Sequence, residues 1–304
     1  MEKFNILLGE VYKKSPLQKK KIEAMLLKSD DKYLKEAGLF AEIYLPFLKA
    51  YGIDVSSAAA DYVKFCSNMM SCQVYFMKTG KYPLEKASEP YKNIYSDEKE
   101  MQSYMIGQAI SMFLWSTHYN EFLLFLKYIE KYAKTLSSYL EIGPGHGLFL
   151  NRALDFLNKD ARVTAVDISP VSMRISKNII NYLKPHSKNI NFIEIDMLDL
   201  NLNEKYDFIT MGEVLEHVNY PEKLLLKLRE LLSEKGMAYI SSCANGPAID
   251  HVYHFKYIEE IRKMLEDSGL KIIEDKVLPT EDMPMAEILE KKIAVDYCAI
   301  VGKK

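Results

Sequence analysis

One nine-residue run constrains this chain more than any other: Tyr139-Leu-Glu-Ile-Gly-Pro-Gly-His-Gly147. The apolar residues read as a strand that ends at Glu141-Ile142. Gly143, Gly145 and Gly147 then make a turn, and LFLNRALDFL continues as an apolar-periodic helix. Glycines at such a turn allow positive φ and bring backbone close to a ligand.

The rest of the chain extends this unit. After residue 136, short β-rich runs at 138–142, 162–167, 190–195, 206–211, 236–243, 270–277 and 292–301 alternate with helical patterns at 146–158, 170–183, 221–233 and 255–268. Such alternation means right-handed crossovers and a mostly parallel, doubly wound α/β sheet. The last two strands lack a comparable helix between them, so they are expected to pair antiparallel at one edge. Segment 279–290 reads as a surface loop. Before residue 136 the spacing is helical, at 19–28, 32–50, 57–78 and 103–134. The chain is 304 residues long, which suits two units. We expect an all-helical domain over 1–135 and a sheet domain over 136–304.

Composition removes several classes. With 48% hydrophobic and 27% charged residues, the chain is neither disordered nor fibrous. Lys+Arg of 40 against Asp+Glu of 42 gives net −2, which provides no overall attraction to nucleic acid. The basic cluster Lys13, Lys14, Lys19, Lys20 and Lys21 reads as a solvated helix face. Cys66, Cys72, Cys243 and Cys298 form no CxxC pair, and this suits a reducing, cytoplasmic setting. The N-terminus shows no signal-peptide pattern. Met101–Asn120 carries no formal charge over 20 residues, but Gln102, Gln108, Ser111, Thr117 and His118 make it a helix packed on protein, not a membrane span.

Two acids follow the glycine turn at informative places. Asp167 ends the second strand, about 20 residues on, where a carboxylate accepts hydrogen bonds from ribose hydroxyls. Asp196-Met197 ends the third, and offers an acid and an apolar face to an adenine. The third glycine comes one residue too early for the G-x-G-x-x-G dinucleotide fingerprint, which weakens a nicotinamide reading.

E-x-G-x-G-x-G, the V-D at the second strand, the D after the third and YDFITMGEVLEHV together resemble the class I S-adenosylmethionine-dependent methyltransferases, over about residues 138–301. The resemblance implies a seven-stranded sheet in order 3-2-1-4-5-7-6 with the last strand antiparallel. It implies S-adenosylmethionine as cofactor. Glu141, Gly143 and Gly145 would line its methionine and ribose end, Asp167 would hold the ribose, and Asp196 with Met197 the adenine. Gly147, Ile168, Gly212 and Glu213 complete the expected cofactor set. In related small-molecule enzymes a helical extension often caps the acceptor site.

The switch point of such a sheet lies between strands 1 and 4, so the methyl group faces the loops after strands 4 and 5. These loops carry three of the six histidines, His217, His251 and His254, with Glu213, Glu216 and Asp250 beside them. Two readings stand. A histidine, with Glu213 nearby, acts as general base toward an acceptor hydroxyl. Alternatively Glu213, Glu216 and His217, at i, i+3, i+4 on one helical face and joined by His251 or His254, bind Mg²⁺, Mn²⁺ or Fe²⁺. The E-x-x-E-H string resembles that of the ubiquinone-pathway O-methyltransferases, and also that of the small-RNA 2′-O-methyltransferases. The reading favoured is O-methylation of a natural-product or quinone-like small molecule. Its rivals are N- or C-methylation of a small molecule or peptide, RNA methylation, and a cofactor-binding regulator without turnover. Self-association stays open. Tyr62, Phe65, Tyr75, Phe76, Phe113 and Tyr119 are read first as core, and second as walls of an acceptor pocket.

Overall fold

Local chemistry sets where the N-terminal helices begin. In the computed structural model, which describes residues 1–90, 95, 97–187, 190–201 and 204–304, they are α1 (Glu2–Lys14), α2 (Pro16–Leu26), α3 (Asp31–Ala50), α4 (Val55–Thr79), the single turn α5 (Ser88–Pro90), α6 (Glu98–Leu114) and α7 (Ser116–Tyr132). Side chains of Ser15, Asp30, Asp54 and Asp97 accept from backbone N–H groups in the first turns of α2, α3, α4 and α6. Each such cap is worth about 1 kcal/mol. The run at 103–134 is two helices and not one. Trp115 is extended between them (φ −120, ψ 126), and its indole N–H donates to Tyr62 Oη at 3.1 Å. Nothing in the local spacing marks this break, because the anchor is 53 residues away.

The uncharged run around α6 is buried within the protein from Met101 to Leu114, apart from the half-buried Gln102 and Gln108. No helix among the described residues is long and apolar enough to cross a membrane. Tyr62, Phe65, Phe76, Phe113 and Tyr119 are core residues, whereas Tyr75 is exposed.

The second half contains β1 (Ser138–Ile142), α8 (Leu148–Phe156), β2 (Arg162–Asp167), α9 (Pro170–Leu183), β3 (Ile190–Glu194), β4 (Tyr206–Met211), α10 (Pro221–Leu231), β5 (Leu232–Ala244), α11 (Ile258–Asp267), β6 (Leu270–Pro279), α12 (Met285–Glu290) and β7 (Val295–Lys303). The strands form one sheet in order 3-2-1-4-5-7-6. β7 runs antiparallel to both β5 and β6, and the remaining pairs are parallel. Segment 279–290, expected as a loop, contains α12. Pro284 precedes it, and Ile288 is fully buried beneath the sheet. Six residues are too few to display a helical period in sequence.

Alternate residues of the central strands face opposite ways. Tyr139, Phe208 and Tyr239 pack with the N-terminal helices, while Leu140, Ile209 and Ile240 pack with α10 and α11. The helices and one face of the sheet therefore share a continuous core. This packing carries α6 and α7 across the carboxyl ends of the strands, where the site lies.

Candidate active site

The turn after β1 takes left-handed φ at Gly143 (66), Gly145 (51) and Gly147 (74). A side chain at Gly147 would meet Ile179 Cγ2 at 2.7 Å and Ser176 Cα at 3.1 Å, so only glycine lets α8 seat against α9. A Cβ at Gly145 would touch Met105 Sδ of α6 at 3.4 Å and Gln108 Oε1 at 3.7 Å. Here lies a cavity of about 70 Å³, bounded by Glu141 and the glycine turn on one side and by Gln108, Met112, His118 and Glu121 of the helices on the other. Gly212, Glu213 and Ser241, at the tips of β4 and β5, close it. The pocket lies at the carboxyl end of the strands, where open α/β sheets bind their ligands.

The cavity is acidic. Glu141 accepts from Tyr139 Oη, yet burial pushes its carboxyl up to about 8. Its folded value thus lies above the unfolded value near 4.5, so the folded state keeps a proton that the unfolded chain has lost. That contribution is fully present below pH 4.5 and fades as pH rises through about 8. Denaturant melts of the ligand-free protein should accordingly show Glu141→Gln gaining on wild type as pH goes from about 5 to about 8. A gap independent of pH would mean that Glu141 is ionised throughout.

Asp167 closes β2 and braces the start of α9, whose N-cap is Ser169. One oxygen accepts from Ser169 N at 2.8 Å and the other from Ser172 Oγ. Burial raises its carboxyl, and these donors oppose the rise. Ile168 beside it is 44% exposed, an apolar side chain left uncovered at a strand tip. Asp196 accepts from Leu198 N at 2.9 Å, starting a 3₁₀ turn at Met197–Asp199. Met197 itself is buried in the core beneath the sheet, while Leu198 is 40% exposed at the tip.

The loops after β4 and β5 do not build the helical face expected of Glu213, Glu216 and His217. Glu213 is left-handed (φ 51), and Leu215–His217 is a 3₁₀ turn. Glu213 turns its carboxyl to the cavity, where burial and the neighbouring Glu216 raise it well above the usual carboxylate range. Glu216, His217 and His251 do come together, with a ligand atom from each inside 4.8 Å. Glu216 is fully buried. Its Oε2 accepts from Ser242 Oγ at 2.7 Å, and its Oε1 has no hydrogen-bond partner. His217 Nε2 lies 3.8 Å from that oxygen and His251 Nε2 4.0 Å. Each histidine has Nδ1 against a backbone carbonyl, Asp250 O at 3.1 Å and Gly246 O at 2.6 Å. A carbonyl only accepts, so Nδ1 carries the proton and Nε2 presents a lone pair. Burial lowers His251 to about 4, which keeps it neutral. His254 turns away. Its Nε2 donates to Asn245 Oδ1 at 2.9 Å, and its ring packs between Phe76 and Tyr82.

Asp250, expected beside the histidines, is reached by residues of the helical half that escape sequence reasoning. Asp250, 1% exposed, accepts from Tyr95 Oη and Tyr104 Oη, each at 3.1 Å. Tyr95 also lies 3.0 Å from His217 Nδ1. These contacts join the helical half to the loop after β5 across 146 and 155 positions. Glu121 and Gln108 reach the cavity in the same way. The one available signal is an acid at 121 in the apolar pattern of α7, and by itself it is ambiguous.

A profile for a methyltransferase domain matches residues 140–238. The ubiquinone biosynthesis O-methyltransferase of Rickettsia akari is 27% identical over 184 residues, covering 54% of this chain and 71% of that protein. The malonyl-[acyl-carrier protein] O-methyltransferase of Acetivibrio thermocellus is 27% identical over 135 residues, covering 44% of this chain and 45% of that protein. Among solved structures, the mitomycin 7-O-methyltransferase MmcR superposes with a TM-score of 0.55 at 11% identity, over 82% of this chain and 72% of that one. The likeness in fold therefore extends past the sheet into the helices. The strand order, the glycine turn with its acid at the second strand, and these relatives identify the chain as a class I S-adenosylmethionine-dependent methyltransferase.

Proposed function

We propose that this protein methylates a hydroxyl of a small, quinone-like or natural-product molecule, and that Glu216, His217 and His251 hold a divalent cation beside the acceptor. One observation carries the reading: an unpartnered buried carboxylate oxygen and two histidine Nε2 lone pairs converge, each ligand already braced by a hydrogen bond behind it. Two ligands about 2.1 Å from one ion lie about 3.0 to 4.2 Å apart, so the 3.8 and 4.0 Å separations stand at the wide end of that range and would close slightly around a cation. The mixed oxygen–nitrogen set favours Mg²⁺, Mn²⁺ or Fe²⁺. When bound, the cation lowers the pKa of an acceptor hydroxyl and orients it.

S-adenosylmethionine supplies a methyl group on a sulfonium, already activated, so the protein's main task is alignment. On this reading Glu141, Gly143, Gly145, Gly147, Gly212 and Glu213 surround the methionine end. Asp167 accepts from the ribose, and Ile168, Asp196 and Met197 border the adenine, Met197 from beneath. The helical half, 1–135, walls the acceptor side through Tyr95 and Tyr104. The named activity of the Rickettsia relative supports oxygen as the acceptor atom. Four buried free thiols agree with a cytoplasmic setting. His217, held by Asp250, is the group that would serve as base without a metal.

The test is methyl transfer from S-adenosylmethionine to a panel of phenols with adjacent oxygens, before and after chelation with EDTA. The reading expects O-methyl product, lost on chelation and restored by Mn²⁺ or Mg²⁺. Product on nitrogen or carbon only, at a rate indifferent to EDTA, contradicts it.

A further inference from the structure

We infer that Glu121, on helix α7 outside the sheet, receives the α-ammonium group of the methyl donor's methionine moiety. The inference rests on S-adenosylmethionine as donor. Glu121 is 5% exposed and lines the cavity beside the glycine turn. Its Oε1 has no hydrogen-bond partner, and neither has Oε1 of Glu213 in the same wall. Glu141 is the third carboxyl there, and among the described residues no lysine or arginine lines the cavity. The two histidines of the lining offer no positive charge. Burial lowers His118 to about 4 and His146 to about 3. Three carboxyls, two of them with an oxygen left unpartnered, face one small space, and a ligand cation that carries N–H donors would satisfy them.

The hydrogen-bonding need selects which cation. An orphaned carboxylate oxygen requires a donor. A sulfonium has no N–H or O–H to give, whereas an ammonium carries three N–H donors on a compact charge. Packing fixes Glu121 in place. Its neighbours Phe122 and Phe125 hold ring contacts with Phe149 of α8 at 5.4 and 4.8 Å, and Phe125 with Tyr239 of β5 at 5.8 Å. Without ligand, a buried acid with an unmet oxygen destabilises the fold, as expected of a residue kept for binding.

Calorimetry on the full chain separates the possibilities. S-adenosylhomocysteine carries the ammonium, and 5′-methylthioadenosine has the same nucleoside and sulfur without it. In Glu121→Gln we expect S-adenosylhomocysteine affinity to fall about tenfold or more, as for loss of a charge-assisted contact, and methylthioadenosine affinity to stay within about twofold. The Tm of the ligand-free variant should equal or exceed that of wild type. Equal losses for both ligands, or no loss for either, overturn the assignment, as does a lowered Tm with both affinities reduced. Failure of wild type to bind either ligand is a different result, which removes the donor itself and the inference with it.

Discussion

Glu216→Ala is expected to lower methyl transfer at least about a hundredfold while leaving S-adenosylhomocysteine affinity within about twofold. Loss of a residue that merely supports a metal ligand costs 10–100-fold, so loss of the ligand itself sets that as a floor. Glu216 is the only fully buried member of its group, and its Oε1 is the atom both histidines approach. Glu213 lines the cavity beside the glycine turn and Glu216 does not, which is why turnover and donor binding are expected to split. Steady-state kinetics and calorimetry on the same preparation check it. Parallel losses in rate and donor affinity would mark Glu216 as a brace for the loop, because its backbone carbonyl also accepts from Val252 and Tyr253 N–H.

Asp167→Ala should weaken S-adenosylhomocysteine at least about a hundredfold. Hydrogen bonds to a carboxylate are worth about 1.5–3 kcal/mol each, so losing two costs about 3 kcal/mol or more; about 2.7 kcal/mol corresponds to a hundredfold, which is therefore a floor. The alanine also removes the acceptor for Ser169 N and Ser172 Oγ, so some loss of stability accompanies it. Asp167→Asn separates the two effects, since its amide oxygen keeps an acceptor for Ser169 N while the charge is gone. Asparagine should recover most of the melting temperature but little of the affinity. An affinity equal to wild type in both variants would remove Asp167 from the cofactor site.

The sheet was legible because its signals are local. Strand 138–142, its glycine turn and the acid at 167 lie within 30 residues, and period-2 and period-3.6 patterns mark each element. β7 beside β5 was implied by resemblance alone, whereas the lack of a visible helical pattern between the last two strands indicated only that they pair antiparallel with each other. The site was legible only where it is contiguous. Glu216 and His217 are adjacent, and their approach to His251 follows from strand order. The contribution of the helical half was not legible. Tyr95, Tyr104 and Glu121 meet residues more than 90 positions away, and no spacing rule links a helix residue to a loop it will cover. Glu213 shows the reverse error. Its i, i+3 relation to Glu216 suggested one helical face, but tight turning after β4 gave it a left-handed φ and aimed it at the cavity.

The most direct test is calorimetric titration of Mn²⁺ into protein saturated with S-adenosylhomocysteine, for wild type and Glu216→Ala. The account predicts one site per chain in wild type and none in the variant. No Mn²⁺ binding by wild type, or equal binding by both proteins, would contradict it.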